Sequence, residues 1–479
     1  MWKNPPPDLP HSLPPTTQGG RHHHPCWLGL MGLALVFFGA CAPSPPPPQP
    51  RNVVLILVDT LRADHLGAYG YGRPTSPNLD AFARGAVLFQ DARSQASCTF
   101  PSANSLLTSR YPAAFMGQPE QAMGIPGGIP SVAEVLQGKG YRTVAVSASP
   151  IVRKSPTRFN PQGGFARGFE TFSEDCLWKP AECVNRVTME QLEQLEKEED
   201  GRPFFLYLHY MDPHGPYAPP PGHVRRFATG SPDKAFIREG NPNPIGDMLY
   251  KGAPDPGATP ADLQHLVGLY DDEIAYFDAQ LALLLQRLRE TGRMEDTLVV
   301  LTSDHGEEFL EHGHIKHCRT LFDTSIRIPL ILHVPGAAPR TVTRPAENVD
   351  VVPTLLDLLG IGTEGLRLEG RSLRPLLGDE ESDESPDHQF SAQGPLRSVA
   401  DGGFKLVEDL AGGSVALYDL RADPGETKDV LRDRRRDFHR LRQALTAWLA
   451  ATEGQHAAGE SVHQAEEAER KLRALGYIE

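Results

Sequence analysis

The chain has 479 residues, a formal charge of −14 and 39% hydrophobic residues, enough to bury a large core and more than one compact domain usually holds. Its acidic balance and lack of a long Lys/Arg block argue against nucleic acid as a partner. Six cysteines are too few for a disulfide-built scaffold, and no repeat of solenoid period is present.

Arg21 and His22–His24 precede the apolar run WLGLMGLALVFFGA, which stops at Cys41. That run has the length of a signal core and is short for a membrane span. Gly39 and Ala40 directly before Cys41 resemble the lipobox of bacterial lipoproteins, with Phe38 in place of the usual Leu. A lipoprotein leader, a plain secretory signal and a single anchor helix all export the chain. The expectation is an exported, lipid-anchored protein facing the periplasm or the cell exterior, with residues 1–41 as leader. Residues 42–51 (APSPPPPQPR from Ala42) form an extended, semi-rigid spacer.

Folded sequence starts at Asn52. NVVLILV is an unbroken, largely β-branched run, the mark of a strand buried on both faces of a parallel sheet. A helix starting at Ser76–Pro77 and stopping at Gly85 follows, then a strand. A second helix from Ser131 ends near Gly138 and Gly140, with a strand at Tyr141–Ser147 behind it. RPFFLYLHYMDPH, TLVVLTSDHG and IRIPLILHVPG are further buried strands, and ADLQHLVGLYDDEIAYFDAQLALLLQRLRETG is a long amphipathic helix ended by Gly292. Alternating helices and buried strands predict a doubly wound α/β fold with a mixed or parallel central sheet. In such sheets ligands collect beyond the carboxyl ends of the strands.

Residues 212–260 are loop-rich and long for a connection, which suggests a lid or substrate wall. GDEESDESPDHQ (378–389) is an acidic linker. Beyond it, a hairpin turning at Gly412–Gly413 and a helix through DRRRDFHRLRQALTAWLAA predict a small α+β appendage. The domain plan is therefore a catalytic domain over 52–377, the linker, and an appendage over 390–479.

Asp59 and the pair Asp304–His305 each follow a buried strand. Two carboxylates and an imidazole at the ends of neighbouring strands point to one divalent cation, Mn²⁺ or Zn²⁺ in preference to Ca²⁺. Asp212 and His214 follow a third such strand. Thr99 lies two residues before Pro101, a residue favoured in the first turn of a helix, so Thr99 is expected near an N-cap, in the positive end of the helix dipole. A hydroxyl there, next to a metal, can ionise and attack an anionic ester, although a capping Thr needs no chemistry.

NVVLILVDTLRADHLGAYGY, PSANSLLTSRYP, FFLYLHYMDPHGPY, TLVVLTSDHGEEFLEHGH, RIPLILHVPG, VDVVPTLLDLLGI with GRSLRPLL, and LYDLRADPGETKDV occur in an order that resembles the sulfatase family of the alkaline phosphatase superfamily. The resemblance runs over roughly residues 52–430. It implies Asp59, Asp304 and His305 as metal ligands and Thr99 at the nucleophile position. It implies that His214 contacts the anionic group, and that His317 and Arg319 protonate the leaving oxygen or neutralise the anion. His312, His314 and Lys316 fall in the same stretch. The implied partner is an anionic sulfate or phosphate ester.

The chain departs from that family where it matters most. The usual Cys-x-Pro-x-Arg, whose Cys becomes formylglycine, reads Thr99-Phe100-Pro101-Ser102-Ala103, and Cys98 is one residue out of register. No formylglycine is expected. Thr60 stands for the second of the paired Asp ligands, and Lys154 is a weak substitute for a Lys that the family carries. A formylglycine hydrate expels sulfate by collapsing to the aldehyde, and a threonine cannot. Thr in this setting resembles lipoteichoic acid synthases and lipid A phosphoethanolamine transferases, so phosphate-ester hydrolysis or transfer on envelope lipids or glycans stands beside sulfate-ester hydrolysis. A binder of sulfated or phosphorylated glycans without turnover is a third reading, against which the retained Asp59, Asp304 and His305 count. Cys176 and Cys183 lie close enough in a loop to pair. Cys98 and Cys318 flank the expected site, and the sequence names no partner for either.

Overall fold

The computed structural model describes residues 50–116, 124–155, 164–197, 200–229, 258–378 and 388–452. The leader, nearly all of the proline-rich spacer, the middle of the 212–260 loop and most of the acidic linker lie outside the described residues.

The central sheet has nine strands. In chain order they begin with β1 (Asn52–Val58), β2 (Val87–Arg93), β3 (Arg142–Ser147), β4 (Thr171–Ser173), β5 (Phe204–Tyr210) and β6 (Thr297–Ser303). A small separate hairpin, β7 (Glu308–Phe309) and β8 (Ile315–Lys316), precedes β9 (Arg327–His333), β10 (Arg340–Val342) and β11 (Ala346–Glu347). The order across the sheet is β10-β2-β9-β6-β1-β5-β3-β4, with β11 also on β2. All pairings are parallel except those of β9, which runs antiparallel to both β2 and β6. The doubly wound, mixed α/β fold expected from the sequence is the one observed.

The burial of β1 explains its composition. Successive side chains point to opposite faces. Val54, Ile56 and Val58 join one core with the helices Pro77–Arg84, Ala181–Lys197 and Pro260–Glu290. Val53, Leu55 and Leu57 join a second core with the helices Thr99–Thr108, Val132–Gly138 and Val351–Leu358. Helix ends follow local chemistry. Ser131 and Glu134 close a capping box, and so do Thr259 and Asp262 at the start of the long helix. Gly292, with φ +69°, supplies the left-handed turn after the long helix. The Ala181–Lys197 helix went unread in the sequence because its exposed face, rich in Glu and Gln, masks a narrow apolar stripe.

The C-terminal sheet, β12 (Gln389–Gln393), β13 (Leu396–Ala400), β14 (Phe404–Asp409) and β15 (Val415–Asp419), is antiparallel and packs under the helix Arg435–Thr452. The expected hairpin is β14–β15, with Gly413 at φ +69° in its turn. Its core includes Tyr111 and Val349 from the preceding domain, and the described residues from Pro50 onward belong to one compact unit. The appendage is thus docked on the catalytic domain through a shared apolar core.

Candidate active site

Parallel register puts Val58 beside both Ser303 and Tyr210. The residues that follow these three strands therefore leave the sheet together, at its carboxyl edge. Thr60 adopts φ +56° and turns the chain sharply after Asp59. Its N–H donates to Asp304 Oδ1 at 3.1 Å, and the His305 N–H donates to the same oxygen at 2.9 Å. Asp59, Asp304 and His305 are fully buried, and one potential ligand atom from each lies within 4.8 Å of the others.

The electrostatics of this trio do not close by themselves. Asp59 Oδ1 and Asp304 Oδ2 are buried without a hydrogen-bond partner. His305 Nδ1 lies 2.9 Å from the Gly306 carbonyl and donates to it, which leaves Nε2 facing the carboxylates. Nε2 lies 3.3 Å from Asp304 Oδ2. Burial, and then the charge of Asp304, push the Asp59 carboxyl well above the usual carboxylate range. Buried carboxylate oxygens without a hydrogen-bond partner, beside an imidazole nitrogen, fit a divalent cation in charge and in donor type.

His209, which sequence reading passed over, orients Asp59. It sits two residues after Tyr207 on the same face of β5. The Tyr207 hydroxyl is 3.0 Å from His209 Nδ1, and His209 Nε2 is 3.3 Å from Asp59 Oδ2. Burial pushes the His209 imidazole down to about 4, so it is neutral and donates from Nε2. A histidine inside an otherwise apolar strand was the available signal.

Thr99 opens the helix Thr99–Thr108 as its first helical residue, and the N-cap is Cys98 in extended conformation rather than Thr99 itself. Cys98 makes no side-chain cap, because its sulfur is bonded to Cys318. The Thr99 hydroxyl lies 3.2 Å from His305 Nε2. Nucleophile candidate and ligand trio are therefore adjacent, at the positive end of a helix.

His317 lies against His305, with ring centroids 4.6 Å apart. Its Nδ1 is 2.9 Å from Glu307 Oε1, and Glu307 Oε2 accepts from Tyr217 at 2.9 Å. Burial holds the His317 imidazole well below its ordinary value and raises the Glu307 carboxyl. His214 follows, 5.2 Å from His317, with Nδ1 at 2.6 Å from the Gly215 carbonyl. Burial, and then His317, bring the His214 imidazole down to about 3. Arg319 is half-buried directly after Cys318, on backbone that the disulfide and a 2.7 Å bond from the Cys318 N–H to the Ser97 carbonyl hold against the Thr99 turn. His312 is elsewhere: it stacks on Phe322 and bonds to Glu308 and the Gly425 carbonyl, at the docking face of the appendage. Lys154 is exposed on a loop held by Glu174.

The Cys98–Cys318 bond gives both flanking cysteines the partner that the sequence did not name, and Cys176 and Cys183 are bonded as expected. The first bond joins the residue before Thr99 to the residue after His317. Two groups 218 positions apart, Thr99 and His317, are thereby fixed on either side of one covalent link with Cα atoms 4.7 Å apart at its ends.

With this geometry in view, the comparisons are coherent. The sulfatase family profile matches residues 51–361, and the profile described as N-sulphoglucosamine sulphohydrolase, C-terminal, matches 310–455. Choline-sulfatase of Rhizobium meliloti (strain 1021) is 26% identical, over 79% of this chain and 82% of its own. N-sulphoglucosamine sulphohydrolase of Homo sapiens is 28% identical, over 76% of this chain and 74% of its own. Among solved structures, a putative sulfatase from Bacteroides thetaiotaomicron superposes with a TM-score of 0.68 at 20% identity, covering 87% of this chain and 96% of that one. The phosphonate monoester hydrolase of Agrobacterium radiobacter gives 0.64 at 22% identity, covering 86% and 96%.

Proposed function

This chain belongs to the sulfatase family, and from that premise we propose that it is a metal-dependent ester hydrolase whose nucleophile is Thr99. The observation that carries the reading is the 3.2 Å approach of the Thr99 hydroxyl to His305 Nε2, beside two buried carboxylate oxygens that have no donor. Asp59, Asp304 and His305 would hold the cation, and when bound it would supply Lewis acidity at the hydroxyl and at the ester's anionic oxygens.

The chain's own residues do the rest. Thr99 Oγ1 forms the bond to sulfur or phosphorus while the bond to the alcohol oxygen breaks. With Nδ1 bonded to Glu307, the neutral His317 takes on Nε2 the proton that Thr99 releases and passes it to that oxygen. The alcohol gains one proton and Thr99 loses one, so His317 ends the step as it began. Arg319 meets the equatorial negative charge, and His214 joins it once the anion's arrival has placed a proton on its Nε2. Water then cleaves the threonine ester, releasing sulfate or phosphate and restoring Thr99.

Sulfate esters are the substrates in the names of the relatives, choline-sulfatase among them. A second reading, phosphate esters, is favoured by Thr99 itself, since a threonine cannot expel the anion by collapsing to an aldehyde and a phospho-threonine is opened by water. The two are separated by kcat/KM for an aryl sulfate and an aryl phosphate on metal-reconstituted protein. Thr99→Ala is expected to lower the better of the two values by at least about a thousandfold while leaving metal content unchanged. Undiminished turnover in that variant would falsify Thr99 as nucleophile.

Two disulfides support an oxidising compartment, in keeping with an exporting leader and lipid attachment at Cys41. Cys41→Ser should move the protein from the membrane fraction to the soluble one.

A further inference from the structure

Four large apolar side chains are exposed among the described residues, and Trp178 is the aromatic one, 42% accessible. Three features hold it in place. It lies inside the short loop closed by Cys176–Cys183. Its backbone adopts φ +56°, a genuine outlier for so bulky a residue. Its N–H donates to the Ala148 carbonyl at 3.0 Å, and the Ala148 N–H donates to the carbonyl of His209, the residue that orients Asp59. The far end of the loop is tied as well, since the Ala181 N–H donates at 2.8 Å to Asp212, two residues before His214.

The indole faces the site. Its ring centroid is 5.9 Å from that of His214, the outermost of the three histidines that lead through His317 to His305. An exposed indole is thus fixed, on a strained and cross-linked loop, at the outer end of a row of rings that ends beside Thr99. Strain and covalent closure hold an apolar face in water where it could have been folded away, and pre-organisation of this kind lowers the cost of binding a ligand.

We propose that Trp178 is the platform on which a sugar ring of the ester's alcohol stacks, so that the substrate class is a glycan carrying the anionic ester. The inference rests on the hydrolase reading above. The physical fit is specific. One face of a pyranose presents C–H groups to the negative π face of indole, while its rim of hydroxyls stays in water. A half-exposed indole covers one face and leaves the rim open, as a sugar needs. An aryl ring can stack on the same indole but offers no hydroxyl rim to the water around it.

The test measures binding apart from turnover. In a metal-loaded Thr99→Ala background, the dissociation constant is determined by calorimetry for a methyl glucoside sulfate, for an aryl sulfate and for ring-less ethyl sulfate. Adding Trp178→Ala should weaken the sugar sulfate by roughly tenfold or more, the scale of one aromatic contact, and by several times more than it weakens ethyl sulfate. Trp178→Phe, which keeps a flat ring, should recover most of the loss and guards against a merely collapsed loop. Equal weakening of sugar sulfate and ethyl sulfate overturns the platform, and tighter binding of the aryl sulfate than of the sugar sulfate with Trp178 in place overturns the glycan class. If wild type turns over no ester while the sugar-selective loss is seen, the hydrolase reading fails and the platform stands.

Discussion

Two buried polar clusters in this protein have the same kinds of side chain and opposite characters. At the seam with the C-terminal sheet, Lys405 is fully buried with Nζ 2.8 Å from both Asp323 and Glu426, and Arg93 forms a second, two-pronged pair with Asp323 at 3.0 and 2.7 Å. Each of the two cations there meets two carboxylates, Lys405 those of Asp323 and Glu426, Arg93 those of Asp91 and Asp323. At the carboxyl edge of the sheet, Asp59 and Asp304 are just as buried, yet an oxygen of each lacks a hydrogen-bond partner. Burying charge is costly unless it is paired. A cluster that closes on itself is structural, and a cluster left open is shaped around something that arrives later.

Substitutions at the two clusters should therefore differ in sign. Lys405→Met leaves Glu426 without its cation, while Asp323 keeps Arg93, and is expected to cost about 3–5 kcal/mol in urea unfolding. A loss below 1 kcal/mol would mean that the seam is not a matched network. Asp304→Asn should do the reverse to the metal-free protein, raising its stability by about 1 kcal/mol as repulsion with Asp59 is relieved. The same variant should lose the gain that wild type shows on adding Mn²⁺, about 2.7 kcal/mol at a hundredfold excess over Kd. A metal-free Asp304→Asn protein that melts far earlier than wild type would erase the contrast.

The two disulfides sharpen the comparison further. Cys98→Ser with Cys318→Ser releases Thr99 from His317 and is expected to lower kcat about tenfold, or about 1.4 kcal/mol at the barrier, with KM moving less. Cys176→Ser with Cys183→Ser frees the Trp178 loop and should act mainly on KM. Identical kcat and KM changes in the two pairs would show that both bonds serve stability alone. The smallest effect expected is in pH. Arg93 and Lys405 outweigh the burial penalty and hold the Asp323 carboxyl well below the usual range. Its folded value lies under its unfolded one, so its contribution is complete above about pH 4 and is lost as pH falls below that, by roughly 1 kcal/mol per unit. The gap between the urea midpoints of wild type and Asp323→Asn should therefore hold steady above about pH 4 and narrow as pH falls below it.

Much of the fold was legible because it follows from composition one strand at a time. NVVLILV could only be a strand covered on both faces, and Ser76–Pro77 with Gly85 marked a helix at both ends. Asp59 and Asp304–His305 were legible because polar residues at the ends of apolar strands have one place to go in a doubly wound sheet. What escaped were relations between distant segments. The reversed direction of β9 depends on a short return through the β7–β8 hairpin instead of a crossover helix. The pairing of Cys98 with Cys318 spans 220 positions, and no spacing encodes it. His209 was hidden by its apolar neighbours, and Trp178 by a loop whose shape is set by a disulfide and by the Asp212 carboxylate in the turn after β5.

The central claim is that the open cluster holds a metal against Thr99. Anomalous diffraction from crystals of active, Mn²⁺-reconstituted protein tests it most directly. The account predicts one peak within bonding distance of Asp59, Asp304 and His305 and next to Thr99 Oγ1. Active crystals with manganese elsewhere, or with none at this cluster, would contradict it.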